Sequence, residues 1–232
     1  MVRRYLNIDE IPAILWGEES DNVYIYVHGK FGSKEDAGRF AEIVCKKGWQ
    51  VLSFDLPEHG DRKIEKDCFD PWHVVPEMKE IMRFVKSSWV KVSLMGNSIG
   101  AWFAMLSFVE IKFDQCLFVC PILDMERLII NMMEDASVSL KELKDKKKIV
   151  TESGEVLSWK YLMYSKDYAI ERWSSPTHIF YAEEDELTSR DTVDLFVDKF
   201  NCQLEVLKNS KHWIHTKEQV AVLEEWLDKK TD

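Results

Sequence analysis

The chain of 232 residues is long enough for one domain with an elaboration, and its 46% hydrophobic content, with nine Trp and twelve Phe, supplies a large core. The 31% of charged residues marks a soluble globular chain rather than a disordered one. With 41 acidic against 31 basic side chains the net charge is −10, which weighs against binding nucleic acid or an anionic lipid surface by charge. The five cysteines, Cys45, Cys68, Cys116, Cys120 and Cys202, show no spacing of a disulfide or zinc framework. The first twenty residues lack the apolar core and cleavage site of a signal peptide, and no window reaches the roughly 18 apolar residues of a membrane span. A reduced, cytoplasmic setting is the expectation.

In chain order, "IPAILWG" and "NVYIYVHG" read as two strands joined by a polar turn, expected to pair as an antiparallel edge. "SKEDAGRFAEIVCKKG" reads as a helix capped by Ser33 and stopped at Gly48. The strand "WQVLSFDLP" follows. Next comes a helix with a stripe through Met78, Ile81, Met82 and Val85, whose beginning is set at Pro76. "VKVSLMG" is a strand, "SIGAWFAMLSFVE" an apolar helix, and "QCLFVCPILD" a continuously apolar strand of the kind buried on both faces of a parallel sheet.

Between about Met125 and Ser175 the rhythm breaks into helices with one turn and no core strand. The basic run at 141–148, "KELKDKKK", is interrupted by acids and reads as a solvated helix face. The rhythm resumes with the strand "PTHIFYAEED", a helix capped by Ser189, the strand "CQLEVLKNS" and a last helix opened by a capping box, Thr216 to Gln219. Strands spaced by helices predict a doubly wound, mostly parallel α/β sheet. The core is assigned to 1–124 and 174–232, and residues 125–173 to a helical cap inserted after the sixth strand. In such sheets ligands bind beyond the carboxyl ends of the strands, so the residues just after each strand carry the functional reading.

After "VKVSLM" stands Gly96-Asn97-Ser98-Ile99-Gly100, a G-x-S-x-G between a strand and a helix. A serine in so sharp a turn is presented outward over a helix N-terminus. It becomes a useful nucleophile only if a base takes its proton. Of the six histidines, His212 follows the last strand at the same sheet end; His215 is the reserve, and His178 sits inside a strand. An acid must then orient the imidazole. "YAEEDELTS" offers four acids, of which Asp185 fits best, with Asp124 as the fallback. For an oxyanion, the N–H of Ile99 is one donor. The loop "HGKFGS" offers Lys30 as the second, with Phe31 the neighbouring alternative and His28 as a brace of the loop.

The order Ser, Asp, His, together with "HGKFGS", "DLPEHGDR" and "GNSIGA", resembles the α/β-hydrolase superfamily over nearly the whole chain. The resemblance implies a triad of Ser98, His212 and Asp185, oxyanion amides from Ile99 and Lys30, a structural role for the 55–62 loop, and no catalytic role for His59. Asn97 and Lys30 depart from the residues frequent at those places in the superfamily. The expected chemistry is hydrolysis of a small carboxylic ester or thioester through an acyl-enzyme, with no metal and no cofactor. In the cap, Trp159, Tyr161, Tyr164 and Trp173, with Met132 and Met133, are candidates for an apolar pocket wall, and Phe31, Trp159 and Tyr164 are taken as the pocket residues. A small-molecule ester is the expected partner. A non-catalytic binding module and an acyltransferase using the same serine remain open alternatives, as does carbon–carbon bond hydrolysis.

Overall fold

A computed structural model of the chain describes residues 1–231. Eight strands form one sheet: β1 (Arg3–Ile8), β2 (Ile11–Trp16), β3 (Asn22–Val27), β4 (Gln50–Phe54), β5 (Lys91–Asn97), β6 (Cys116–Val119), β9 (Thr177–Ala182) and β10 (Gln203–Leu207). Their spatial order is β1-β2-β4-β3-β5-β6-β9-β10. From β4 to β10 every neighbouring pair is parallel. The helices are α1 (Gly38–Val44), α2 (Pro71–Lys86), α3 (Ile99–Ser107), α4 (Met125–Asp135), α5 (Leu140–Lys146), α6 (Trp159–Asp167), α7 (Arg190–Phe200) and α8 (Lys217–Lys230). A small antiparallel hairpin, β7 (Lys148–Val150) with β8 (Val156–Ser158), stands apart from the main sheet.

The strands alternate their side chains between two apolar layers. Val23, Ile25 and Val27 of β3 join Val74, Met78 and Ile81 of α2 and Trp102 and Phe103 of α3 on one side. Tyr24 and Tyr26 join Phe40 and Val44 of α1 and Trp226 and Leu227 of α8 on the other. Among the described residues no helix is long and apolar enough to cross a membrane.

Four sequence expectations are corrected. The antiparallel edge is β1 with β2, closed by a two-residue loop in which Asp9 takes a positive φ of 51°. β2 and β3 are not neighbours, because β4 lies between them. The "VYIYV" run of β3 is fully buried and takes a central place, and the link at 17–21 is long enough to step over one strand, roughly 10 Å. Helix α2 starts at Pro71, not Pro76: the Asp70 carboxylate caps it through the His73 N–H, and Pro76 lies inside the helix. The 125–173 segment is not only helical, since its turn "TESGEV" closes the β7–β8 hairpin. Finally, Trp173 is no pocket wall: it packs on Phe113 and Phe118 and donates its indole N–H to Thr177, inside the core. The basic run does form a solvated helix, α5, with an Lys146–Glu142 pair one turn apart.

Candidate active site

The candidate residues lie in the loops beyond the carboxyl ends of β3, β5, β9 and β10. Ser98 follows β5 with φ 52° and ψ −123°, a conformation that a side chain tolerates only when its surroundings impose it. Those surroundings are visible. The Ser98 N–H donates to Val119 O, while its carbonyl accepts from Ala101 N and Ile122 N. Two glycines make the turn possible. A Cβ at Gly96 would lie 2.8 Å from Ala101 Cα, and one at Gly100 would lie 2.4 Å from His28 O. The Ser98 hydroxyl does not cap its own helix. It stands instead 2.8 Å from His212 Nε2.

His212, in the loop after β10, places Nδ1 2.8 Å from Asp185 Oδ2. That bond makes Nδ1 the protonated nitrogen and leaves Nε2 to accept the serine proton. The Asp185 side chain is fully buried, and its other oxygen accepts the N–H groups of Leu187 and Thr188 at 2.8 and 3.0 Å. Both oxygens are therefore engaged, and the acid is held at one position and one angle. Glu186, its neighbour, takes the His212 backbone N–H at 3.1 Å and steadies the histidine loop.

The alternatives go elsewhere. Asp124 caps α4 through the Arg127 N–H, and His215 bonds the carbonyl of Trp213. His59 bonds Pro57 O, and His178 lies in β9.

The loop after β3 lies against the serine turn: a Cβ at Gly29 would sit 3.2 Å from Ser98 Cβ. His28 is completely buried, and its ring spans two loops. Nε2 accepts the Leu56 N–H at 3.0 Å, and Nδ1 lies 2.8 Å from Gly29 O. Burial holds His28 down at about 4, only partly opposed by its bond to Gly29, so the ring is neutral. Gly29 O also accepts from Gly32 N, closing a turn with Lys30 and Phe31 at its tip. In a trans peptide the C=O and N–H point in opposite directions, so fixing the Gly29 carbonyl turns the Lys30 N–H away from the His28 ring. Ile99 opens α3 directly after Ser98, where backbone N–H groups have no partner within the helix.

Below this loop sits a buried ion cluster that carries no sequence motif of its own. Lys34, 1% exposed, reaches the fully buried Asp55 and the exposed Asp61, each at 2.7 Å. Asp55 also accepts the N–H groups of Lys34 and Asp61, so "HGKFGSK" and "DLPEHGD" are bolted together. Burial pulls the Lys34 ammonium down, but the carboxylates around it outweigh that and hold it above its usual range. The loop at 55–62 thus has the structural role expected of it.

The pocket candidates divide. Phe31 is 85% exposed. Tyr164 stacks on Tyr168 and meets Trp72 edge-on, while Trp159 lies 5.9 Å from the Lys144 ammonium. Tyr161 joins this layer to the nucleophile helix by stacking on Trp102. The hairpin turn is linked to the site loop as well, through a Lys30–Glu155 ion pair at 2.7 Å. The side chain of Lys30, a departure from the superfamily pattern, thus pairs with the 125–173 segment.

The sheet order, the serine turn after β5 and the histidine loop after β10 are those of the α/β-hydrolase fold, and the chain has that fold. Among solved structures it is similar to Est1E from Butyrivibrio proteoclasticus, with a TM-score of 0.77 at 15% identity over 98% of this chain and 96% of that one. Est1E is also known with ferulic acid bound. Alpha/beta hydrolase domain-containing protein 10 from mouse aligns with a TM-score of 0.76 at 13% identity, covering 99% and 98% of the two chains. The monoacylglycerol lipase of Paleococcus ferrophilus gives 0.67 at 17% identity, covering 95% and 99%. No family model matches the chain, and no curated relative does.

Proposed function

We propose that the protein is a serine hydrolase of small carboxylic esters or thioesters, working through an acyl-enzyme. The observation that carries this reading is the unbroken hydrogen-bond chain from Ser98 Oγ through His212 to buried Asp185, built on a serine turn at φ 52°. The monoacylglycerol lipase of Paleococcus ferrophilus, similar in fold, supports ester bonds as the target.

In this mechanism Ser98 Oγ attacks the substrate carbonyl carbon as its proton passes to His212 Nε2. Asp185 stabilises the imidazolium that forms. The tetrahedral oxyanion is held by the N–H groups of Ile99 and Lys30, donors already in place before the reaction. Collapse breaks the bond to the leaving oxygen, which takes the proton from His212. Water then attacks the acyl-enzyme by the same route, releases the acid and restores Ser98. Residues 125–173 act as the cap, with Phe31, Trp159 and Tyr164 bordering the substrate. A cytoplasmic setting belongs to the same proposal and is supported by five free thiols.

A fluorophosphonate probe tests the nucleophile directly. Wild-type protein should be labelled stoichiometrically and Ser98→Ala not at all. Equal labelling of the two, or none of folded wild type, would remove Ser98 from its role.

A further inference from the structure

Of twelve Phe and nine Trp in the chain, only Phe31 and Trp213 are exposed, at 85% and 73%; every other one is buried or partly buried. Both stand beside the site. Trp213 follows His212 directly, and Phe31 follows Lys30 in the loop that lies against Ser98. Neither contributes much to the fold. Phe31 occupies the tip of the Gly29–Gly32 turn at φ 67°, a conformation that favours glycine, and its ring recovers little burial there. Trp213 is held rather than loose: His215 stacks on it at 4.3 Å and 22°, and His215 Nδ1 lies 2.8 Å from Trp213 O. One face of the indole is thus covered and the ring stays largely open to solvent.

We propose that Trp213 and Phe31 form an aromatic lip that selects esters of aromatic alcohols. The inference rests on the hydrolase reading above and names the substrate class for that site. Its direction follows from the proton path. His212 delivers its proton to the leaving oxygen, so the leaving alcohol departs past His212 and its neighbour Trp213. A planar ring on that alcohol meets a pre-oriented indole face, and aromatic pairs prefer offset or edge-on contact beyond simple area burial. The charged Lys30, Glu186 and Lys211 adjoin the rings in space or sequence. Charged groups thus border both rings, which favours one small planar group over a lipid layer.

Benzyl acetate and cyclohexylmethyl acetate, nearly equal in size, separate aromatic recognition from bulk hydrophobicity. With rates normalised to alkaline hydrolysis, wild type should favour benzyl acetate in kcat/KM by about 3- to 10-fold, the size of one aromatic pair. Trp213→Leu should reduce that preference at least threefold, and Trp213→Leu with Phe31→Leu should abolish it. Both side chains are exposed, so the variants should stay folded. In the Ser98→Ala background, ligand-observed NMR should show the same preference in Kd, lost on Trp213→Leu. Turnover of both esters with no preference in any variant overturns the lip and leaves the hydrolase reading intact. A binding preference in Ser98→Ala, with no turnover by wild type, supports the lip and overturns the hydrolase reading.

Discussion

Strand β5 carries a serine near each end. At its amino end Ser93 is fully buried, beside a cavity of about 560 Å³ lined by Tyr24, Trp49, Lys91, Gln115 and Thr231 among others. At its carboxyl end Ser98 is half-buried, strained, and bonded to a histidine that is itself bonded to a buried acid. Ser98 has an imidazole at hydrogen-bond distance, and the loops around it pack tightly on one another. What separates the two ends is that three loops at the carboxyl end are held by buried charge and forced backbone geometry.

The largest contrast should appear in activity. On the proposed mechanism, Ser98→Ala is expected to lower ester hydrolysis by about 10⁴- to 10⁶-fold, as measured for triad nucleophiles, with no loss of fold. Ser93→Ala should leave the rate unchanged and alter stability by about 1 kcal/mol, the size of one buried hydroxyl's net hydrogen bonding. Rates and urea midpoints measured on both variants test the contrast at once. Comparable rate losses in the two would erase the distinction between the ends.

The next contrast concerns what holds the loops. Lys34→Met strands the buried Asp55 carboxylate, and a broken buried pair typically costs about 3–5 kcal/mol. At the amino end, the bond from Tyr24 to Gln115 should cost only about 1 kcal/mol when removed by Gln115→Ala. Denaturant unfolding gives both numbers. The double replacement Lys34→Met with Asp55→Leu should recover part of the loss, which a purely steric account of Lys34 would not produce.

His28 adds a pH dependence at the carboxyl end. Its folded pKa of about 4 lies below the ordinary histidine value, so between the two the unfolded chain binds more protons. The stability it represents is fully present above about pH 6.5 and is lost as pH falls toward 4, a change of about 3 kcal/mol. Urea midpoints at pH 7.5 and 4.5 should show this fall in wild type and a smaller one in His28→Asn.

Much of this was open to reading in the sequence because it is local. Gly96-Asn97-Ser98-Ile99-Gly100 between an apolar strand and an apolar helix states its geometry within a few residues, and His212 and Asp185 follow from strand ends and chain order. Among four adjacent acids Asp185 stands out by its place in the loop just beyond the strand and by its short side chain, and the structure brings that side chain to His212. The features that escaped depend on distant partners. β1 is a polar, mostly exposed edge strand with no hydrophobic alternation to announce it. The neighbours of β2 are set by a strand more than thirty residues later. Lys34 gives no local sign that it will be buried, since its carboxylates come from a separate loop. Trp213 reads as an ordinary apolar residue until the fold leaves it outside, and Phe31, read as a pocket residue, gives no local sign of how exposed it stays.

The smallest expected effect is the one that bears most directly on how the 125–173 segment meets the site. Glu155, in the hairpin turn, pairs with Lys30 in the loop beside Ser98, and both side chains are about 40% exposed. A pair in that environment contributes about 1 kcal/mol at most and is screened by salt. Glu155→Gln should therefore leave the urea midpoint almost unmoved. Its effect belongs to substrate affinity, because the pair restrains the loop that carries the Lys30 N–H. KM should rise by about 2- to 5-fold at low salt, the equivalent of that energy. The rise should vanish near 1 M salt, where wild type loses the same restraint. Gln115→Ala, at the other end of the sheet, should show the reverse pattern, with stability lowered and KM untouched at every salt concentration. A salt-dependent KM that persists in Glu155→Gln would mean that the restraint on the loop comes from elsewhere, with the buried Lys34–Asp55 cluster the remaining source of charge beneath it.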